Sequence, residues 1–191
     1  LDVSGHGVPS ALLSVTTRNQ LGGSGKGAVS GTDFHRPAEL VTALSGHFAG
    51  LLERTEQYFT LMYGVLNLRE SLFSFVQAGH PYPIVCSSEG AAEVEVTPNL
   101  PIGMFESKYQ AQSIELKPGE SVYLYTDGLT EAYHEGKNEQ YGLERFLPAL
   151  NEYEKDGAGG LDKILTDALE WTERWSFEDD VSLVRVGRAP E

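Results

Sequence analysis

The segment "YFTLMYGVLNLRESLFSFVQAGH", residues 58–80, predicts a β-hairpin at the centre of the fold. Two apolar runs, 58–68 and 71–80, are separated by the polar pair Arg69-Glu70. Runs of this length, rich in Phe, Tyr, Val and Leu and divided by a short polar link, are typical of neighbouring antiparallel strands. The segment therefore indicates a sheet whose strands follow one another along the chain.

Helices are predicted before this hairpin, and both strands and helices after it. Residues 9–21 and 37–54 read as helices, and Leu40, Val41, Leu44, Phe48 and Leu51 recur at helical spacing in the second. The remaining predicted elements are strands at 82–88, 91–97 and within 111–128 around Pro118-Gly119, helices at 141–150 and 161–175, and a strand at 180–187. This order predicts a single α+β domain over residues 1–191, with helices covering the faces of sheets.

Composition narrows the classes of protein that the chain fits. It has 191 residues, 28 acidic and 14 basic, and a net charge of −14, which repels nucleic acid and anionic membranes. No apolar run reaches the roughly 18 residues that a transmembrane helix needs. The single cysteine, Cys86, excludes an intrachain disulfide. We therefore expect a cytoplasmic protein that neither binds nucleic acid nor inserts into a membrane.

Four aspartates stand at the ends or starts of apolar segments. Asp2 precedes a glycine-rich turn, Asp127 closes the strand "SVYLYTDG", and Asp179 and Asp180 open "VSLVRV". Carboxylates that meet at one edge of a sheet repel each other unless a cation neutralises them, and such oxygen donors suit Mg²⁺ or Mn²⁺. Aspartate is also a common turn and cap residue. The residues alone leave both interpretations open.

Six segments, in order, resemble one known family. They are "DVSGHGVPSAL" (2–12), "AGHPYPIV" (78–85), "LPIGM" (100–104), "KPGESVYLYTDGLTEA" (117–132), "YGLERF" (141–146) and "DDVSLVRV" (179–186). Together they make the chain similar to the SpoIIE/RsbU-type bacterial serine/threonine phosphatases, a branch of the metal-dependent protein phosphatases (the protein phosphatase 2C superfamily). The resemblance implies the layered α-β-β-α sandwich of that superfamily.

The same resemblance implies a set of site residues. Asp2 corresponds to the carboxylate that bridges two Mn²⁺ or Mg²⁺ ions, and the Val3 carbonyl binds metal beside it. Asp127 and Asp179 correspond to further metal ligands, with Asp180 next to them. Asp2, Asp127 and Asp179 are thus the implied catalytic residues, because the family attacks phosphorus with a metal-bound water rather than with a protein nucleophile.

Two histidines and several glycines accompany these aspartates. His6 and His80 are either a general acid for the leaving oxygen or structural hydrogen-bonding groups near the site, and the second interpretation is favoured. The glycines of the matched segments are predicted to serve tight turns, and they are Gly5, Gly7, Gly79, Gly103 and Gly128.

The resemblance also indicates a missing part. The family carries a further metal-binding carboxylate on an earlier strand, and here only Leu1 precedes Asp2. We therefore expect a fragment that lacks its N-terminal strands, holds an incomplete second metal subsite and has weak or no activity alone. Exposed strand edges in such a fragment favour a homodimer.

Three functions are compatible with the sequence. The first is a phosphatase domain that acts on phosphoserine or phosphothreonine of a protein, in this family typically an anti-sigma-factor antagonist, and that follows a sensor or receiver module. The second is a catalytically degenerate phosphatase-like adaptor in sigma-factor control. The third is a phosphatase for small phosphoesters. The presence of Asp2, Asp127 and Asp179 favours the first.

Overall fold

The computed structural model of the chain describes residues 1–5, 7–21, 29, 31–52 and 57–190. The chain divides into two compact units. The first contains Leu1–His80 and Val96–Glu115, and the second contains Pro81–Glu95 and Leu116–Glu191. Each unit is built on a four-stranded antiparallel sheet accompanied by helices. This confirms the predicted α+β class, while a single domain over 1–191 stays a prediction.

The described residues form ten strands and five α-helices. The strands are β1 (Asp2–Val3), β2 (Phe59–Asn67), β3 (Leu72–Ala78), β4 (Ile84–Ser87), β5 (Gly90–Glu93), β6 (Gln112–Glu115), β7 (Ser121–Tyr125), β8 (Tyr133–His134), β9 (Glu139–Gln140) and β10 (Leu183–Gly187). The helices are α1 (Val8–Leu21), α2 (Pro37–Leu52), α3 (Asp127–Thr130), α4 (Leu143–Tyr153) and α5 (Ala158–Thr172), with a 3-10 turn at Glu154–Asp156. None of the helices in these ranges is long and apolar enough to cross a membrane.

The sheet of the first unit has the order β1–β2–β3–β6. Strands β2 and β3 form the predicted hairpin, paired from Leu61 opposite Ala78 to Asn67 opposite Leu72. The Asn67 side-chain oxygen accepts hydrogen bonds from the N–H groups of Arg69 (3.0 Å) and Glu70 (3.3 Å). An asparagine that bonds the backbone two and three residues on closes a turn, which explains why the chain reverses here.

Helix α2 supplies much of the core of the first unit. Four of its predicted apolar positions are fully buried, and they are Leu40, Val41, Leu44 and Phe48. Their helical spacing places them on one face, and the Phe48 ring meets Phe59 edge to face at 5.4 Å between centroids. The side chain of Leu51 and residues 53–54, also predicted in this helix, lie outside the described part of the chain.

The sheet of the second unit has the order β10–β7–β4–β5. Strand β7 lies between two neighbours, and four of its five residues are buried. Helices α4 and α5 pack on this sheet, and their buried core residues include Phe146, Leu150, Ile164 and Ala168. Strand β7 therefore ends in a well-packed setting, one residue before Asp127.

Two features of the fold differ from the predictions or were not predicted. The strands on either side of Pro118-Gly119 enter different sheets, since β6 pairs with β3 whereas β7 pairs with β4 and β10. An apolar pattern predicts a strand but not its partner, which long-range packing decides. The β8–β9 ribbon and α3 were not predicted, because strands of two residues and a single helical turn carry no periodic signal.

Candidate metal centre

Asp127 lies at the point where β7 ends and α3 begins. Thr126 before it keeps an extended backbone, with φ −94° and ψ 154°. The Asp127 carbonyl accepts hydrogen bonds from the N–H of Glu131 (2.7 Å) and from the hydroxyl of Thr130 (3.2 Å). These bonds fix the backbone of Asp127, whose side chain is half-buried.

Asp179 and Asp180 lie in the segment between α5 and β10, and both are exposed. The N–H of Asp180 donates to Oδ1 of Asp179 at 2.8 Å. This bond orients the Asp179 carboxylate against the following peptide group.

Pairing between β7 and β10 brings the two acidic segments together within the second unit. Tyr125 is opposite Leu183, and the next residues continue the contact, since the N–H of Thr126 donates to the Ser182 carbonyl at 3.0 Å. The Thr126 hydroxyl accepts from the N–H of Ser182 (2.8 Å) and donates to the carbonyl of Asp180 (3.0 Å). The buried side chain of Thr126, the residue before Asp127, is therefore hydrogen-bonded to Asp180, the residue after Asp179.

Gly128 allows the Asp179–Asp180 backbone to lie close to α3. A Cβ at this position would lie 2.9 Å from the carbonyl oxygen of Asp180 and 3.3 Å from Cβ of Asp179. The prediction that Gly128 serves a tight turn is wrong, because it lies in α3 and is absent from the glycines with positive φ. The other predicted turn glycines, Gly5, Gly7, Gly79 and Gly103, do have positive φ.

Asp2 and Val3 form β1 in the first unit. Asp2 pairs with Thr60 and Val3 with Phe59, both on β2. Beyond β1, the N–H of Ser4 donates to the Tyr58 carbonyl (2.9 Å), and the N–H of Tyr58 donates to the Ser4 hydroxyl (2.9 Å). The segment from Asp2 to Ser4 is thus bonded to β2 and to Tyr58, the residue before β2, through both backbone and side-chain groups.

His80 is a buried residue of the first unit, with 6% of its surface exposed. Its Nδ1 lies 3.0 Å from the Thr60 hydroxyl, and its carbonyl accepts a hydrogen bond from the Gln77 side-chain amide. These bonds agree with the structural role that was favoured for it. His6, the other predicted histidine, lies outside the described residues.

Within the second unit, the Thr126 hydroxyl and the pairing of β7 with β10 bring Asp127 next to Asp179 and Asp180, while Asp2 and Val3 belong to the first unit. Over the ranges that the structure describes, no three His, Cys, Asp or Glu side chains converge into a group able to hold a metal ion. The chemistry of the donors still fits Mn²⁺ or Mg²⁺, because every candidate side chain is a carboxylate and two acidic segments are adjacent.

Sequence reasoning missed Thr126. It precedes the predicted Asp127 directly, but a threonine in a strand is ordinary and gives no functional signal. Only the pairing of β7 with β10 reveals that its hydroxyl contacts the second acidic segment.

Comparison with known proteins identifies the family. The family model of stage II sporulation protein E (SpoIIE) matches residues 1–189. The chain belongs to the SpoIIE family. This match confirms the prediction of a SpoIIE/RsbU-type phosphatase domain.

A relative with a described activity matches part of this SpoIIE-family chain. The phosphoserine phosphatase RsbP of Bacillus subtilis (strain 168) is 27% identical over 139 residues. The match covers 69% of this chain and 32% of RsbP. The chain thus spans about a third of the length of that relative.

Solved structures confirm the protein phosphatase 2C (PP2C) fold. The SiaA-PP2C domain of Pseudomonas aeruginosa has a TM-score of 0.82 at 19% identity, covering 97% of this chain and 72% of that one. The catalytic domain of the serine/threonine protein phosphatase PstP, in complex with 2 manganese ions, has a TM-score of 0.60 at 14% identity. That match covers 96% of this chain and 83% of the PstP chain. At these identities the likeness concerns the fold.

Proposed function

We propose that this SpoIIE-family chain is a metal-dependent serine/threonine phosphatase domain of a bacterial signalling regulator. It hydrolyses phosphoserine or phosphothreonine on a protein. The observation that carries the proposal is the junction of Asp127 with Asp179 and Asp180 through Thr126. The match to the phosphoserine phosphatase RsbP supports the same activity.

Asp127 and Asp179 are the proposed metal ligands of the second unit, with Asp180 beside them. Asp2 and the Val3 carbonyl are proposed as ligands on the family resemblance alone. The proposed cofactor is Mn²⁺ or Mg²⁺, and the two manganese ions of PstP support the first. When bound, such ions supply a water of lowered pKa and positive charge for the phosphoryl transition state.

The chain's own charge favours a mechanism that uses a cation. At a net charge of −14, the protein repels a phosphorylated substrate unless positive charge is placed locally. The carboxylates of Asp127 and Asp179 would hold that cation. In this arrangement the protein residues bind and orient, and none of them acts as a nucleophile.

The proposed substrate is a phosphorylated protein of the anti-sigma-factor antagonist type, acted on in the cytoplasm. In the whole protein, a sensor or receiver domain is the proposed partner of the phosphatase domain. A phosphoprotein substrate rather than a small phosphoester is the proposal because the structural neighbour PstP is called a serine/threonine protein phosphatase.

A homodimer is a further proposal. Helix α1 exposes Val8 (73%), Leu12 (62%) and Val15 (56%), which form one apolar stripe at helical spacing. Exposed apolar stripes favour association. We expect the wild type to sediment as a dimer and the Leu12→Glu variant to sediment as a monomer.

Phosphate release tests the proposed activity. The full-length protein is incubated with a phosphoserine peptide, a phosphotyrosine peptide or p-nitrophenyl phosphate, each with Mn²⁺, Mg²⁺ or EDTA. We expect fastest release from phosphoserine, with either metal, and none with EDTA. Equal rates with EDTA would contradict a metal-dependent phosphatase.

The same assay separates the two remaining functions. A small-phosphoester phosphatase would prefer p-nitrophenyl phosphate over both peptides. An adaptor without catalysis would release no phosphate under any condition and yet bind the phosphoserine peptide. The absence of a converged three-ligand group in the described ranges is the observation that keeps the adaptor as the second candidate.

A further inference from the structure

We infer that Thr126 is a positioning residue, whose hydroxyl sets the spacing between Asp127 and the Asp179–Asp180 segment and thereby the affinity for metal. The inference rests on the proposed function, because it concerns the metal ligands proposed there. It adds a residue that lies outside the implied ligand set and that contacts no metal itself.

The Thr126 hydroxyl uses both of its hydrogen-bonding capacities. It accepts from the N–H of Ser182 at 2.8 Å and donates to the Asp180 carbonyl at 3.0 Å. Only 6% of the Thr126 surface is exposed, so water does not readily replace these bonds. The residue is thus clamped to the backbone on both sides of Val181.

The hydroxyl also allows β7 to change into α3. The N–H of Ser182 bonds to the Thr126 side chain, and the Thr126 carbonyl accepts from the N–H of Leu129 at 3.2 Å. Because the side chain occupies the Ser182 donor, the Thr126 carbonyl is available to the first turn of α3. That turn contains Asp127, so the same hydroxyl fixes both acidic segments.

The close contact at Gly128 makes the spacing sensitive. The carbonyl of Asp180 faces Gly128 at a distance that leaves no room for a Cβ, and it is the group to which the Thr126 hydroxyl donates. Loss of the hydroxyl frees this carbonyl and removes the partner of the Ser182 N–H. The Asp180 carbonyl then has no bond to Thr126, and the bond from the Thr126 N–H to the Ser182 carbonyl is the one that remains beside the proposed ligands.

Thr172 provides a matched control in the same unit. It is 5% exposed, and its hydroxyl donates to the Leu169 carbonyl at 3.0 Å within α5. This hydrogen bond does not involve Asp127, Asp179 or Asp180. Thr172→Val therefore removes a buried hydroxyl of the same kind without touching the proposed spacing.

Calorimetric titration of the full-length protein with Mn²⁺ tests the inference, together with the melting temperature of each variant. We expect Thr126→Val to weaken Mn²⁺ binding by about tenfold, since two hydrogen bonds of the positioning group are lost. Thr126→Ser keeps the hydroxyl and is expected to stay within about twofold of the wild type. Thr172→Val is expected to lower the melting temperature but leave the Mn²⁺ affinity unchanged.

The outcomes separate this inference from the proposed function. Asp179→Asn must abolish Mn²⁺ binding for the proposed metal site to stand, and a wild type that does not bind Mn²⁺ overturns both. If Asp179→Asn abolishes binding while Thr126→Val binds like the wild type, only the positioning role is overturned. An equal loss in Thr172→Val and Thr126→Val overturns it as well. If Thr126→Val does not fold, Thr126→Cys, with a weaker hydrogen-bonding group, carries the same comparison.

Discussion

Gly128 determines how closely the two acidic segments approach. An added Cβ would lie 2.9 Å from the Asp180 carbonyl oxygen, which is backbone and cannot rotate away. We expect Gly128→Ala to lower the free energy of unfolding by about 1–3 kcal/mol, as overpacking does. Urea denaturation measures this change.

Gly159 in α5 is the matched control for that substitution. A Cβ added there meets nothing within 4 Å. Gly159→Ala is expected to be neutral or to stabilise by up to about 1 kcal/mol, because alanine favours helix. Equal unfolding free energies for Gly128→Ala and the wild type would show that Asp180 moves freely, contrary to the clamped geometry.

Cys86 shows how the packed second unit affects the reactivity of a residue. Its side chain is 3% exposed. Burial raises the pKa of the Cys86 thiol to about 12, and the nearby Glu154 carboxylate adds to this effect while Arg185 opposes it. Because the thiolate is the reactive form, we expect no reaction with Ellman's reagent at pH 8 in the folded chain and rapid reaction in urea. Rapid labelling without denaturant would contradict this burial.

The aspartates were predictable from sequence, but their supporting residues were not. Asp127 and Asp179 stand in recognisable segments at strand ends. Thr126 and Gly128 act through contacts with residues more than fifty positions away. Such long-range contacts depend on which strands pair, and no local pattern contains that information.

At the scale of elements, the 3-10 turn after α4 is fastened to the sheet through Glu154. This side chain accepts hydrogen bonds from the hydroxyls of Ser121 (2.7 Å) and Tyr123 and from the Arg185 guanidinium (2.7 Å). Burial raises the pKa of Glu154, but the bonds from Arg185, Tyr123 and Ser121 lower it by more. The pKa of this carboxyl in the folded chain is therefore below its ordinary value.

This direction predicts how stability changes with acid. A carboxyl whose pKa is lower in the folded than in the unfolded chain stabilises the fold above its ordinary pKa and loses that contribution as the pH falls through the lowered value. Glu154→Gln removes this contribution. We expect its free energy of unfolding to fall less steeply than that of the wild type between about pH 5 and pH 3. Parallel curves would contradict the assignment.

The elements that sequence predicted best are those with long apolar patterns. Helix α2 and the β2–β3 hairpin lie where the pattern places them, because their buried faces repeat over many residues. The strands of the β8–β9 ribbon are too short to show an alternating apolar pattern, and the pairing partners of β6 and β7 depend on long-range packing. Existence of an element is thus a local property, whereas its pairing is a property of the fold.

At the scale of the whole molecule, charge and family point to one chemistry. The chain carries a net charge of −14 and belongs to the SpoIIE family. The metal proposed to bind at Asp127 and Asp179 would supply local positive charge for a phosphorylated substrate, which the net charge otherwise repels. The family resemblance identifies the aspartates in the sequence. The structure adds that Thr126 joins the segment of Asp127 to the segment of Asp179 and Asp180.

The most direct test is the rate of Mn²⁺-dependent phosphate release from a phosphoserine peptide by the full-length protein and its Asp127→Asn variant. Asp162→Asn, at an exposed aspartate of α5, is the control. Loss of a metal ligand is expected to lower the rate by about 100-fold or more, and the control is expected to match the wild type. Equal rates for Asp127→Asn and the wild type would contradict a metal-dependent phosphatase built on Asp127.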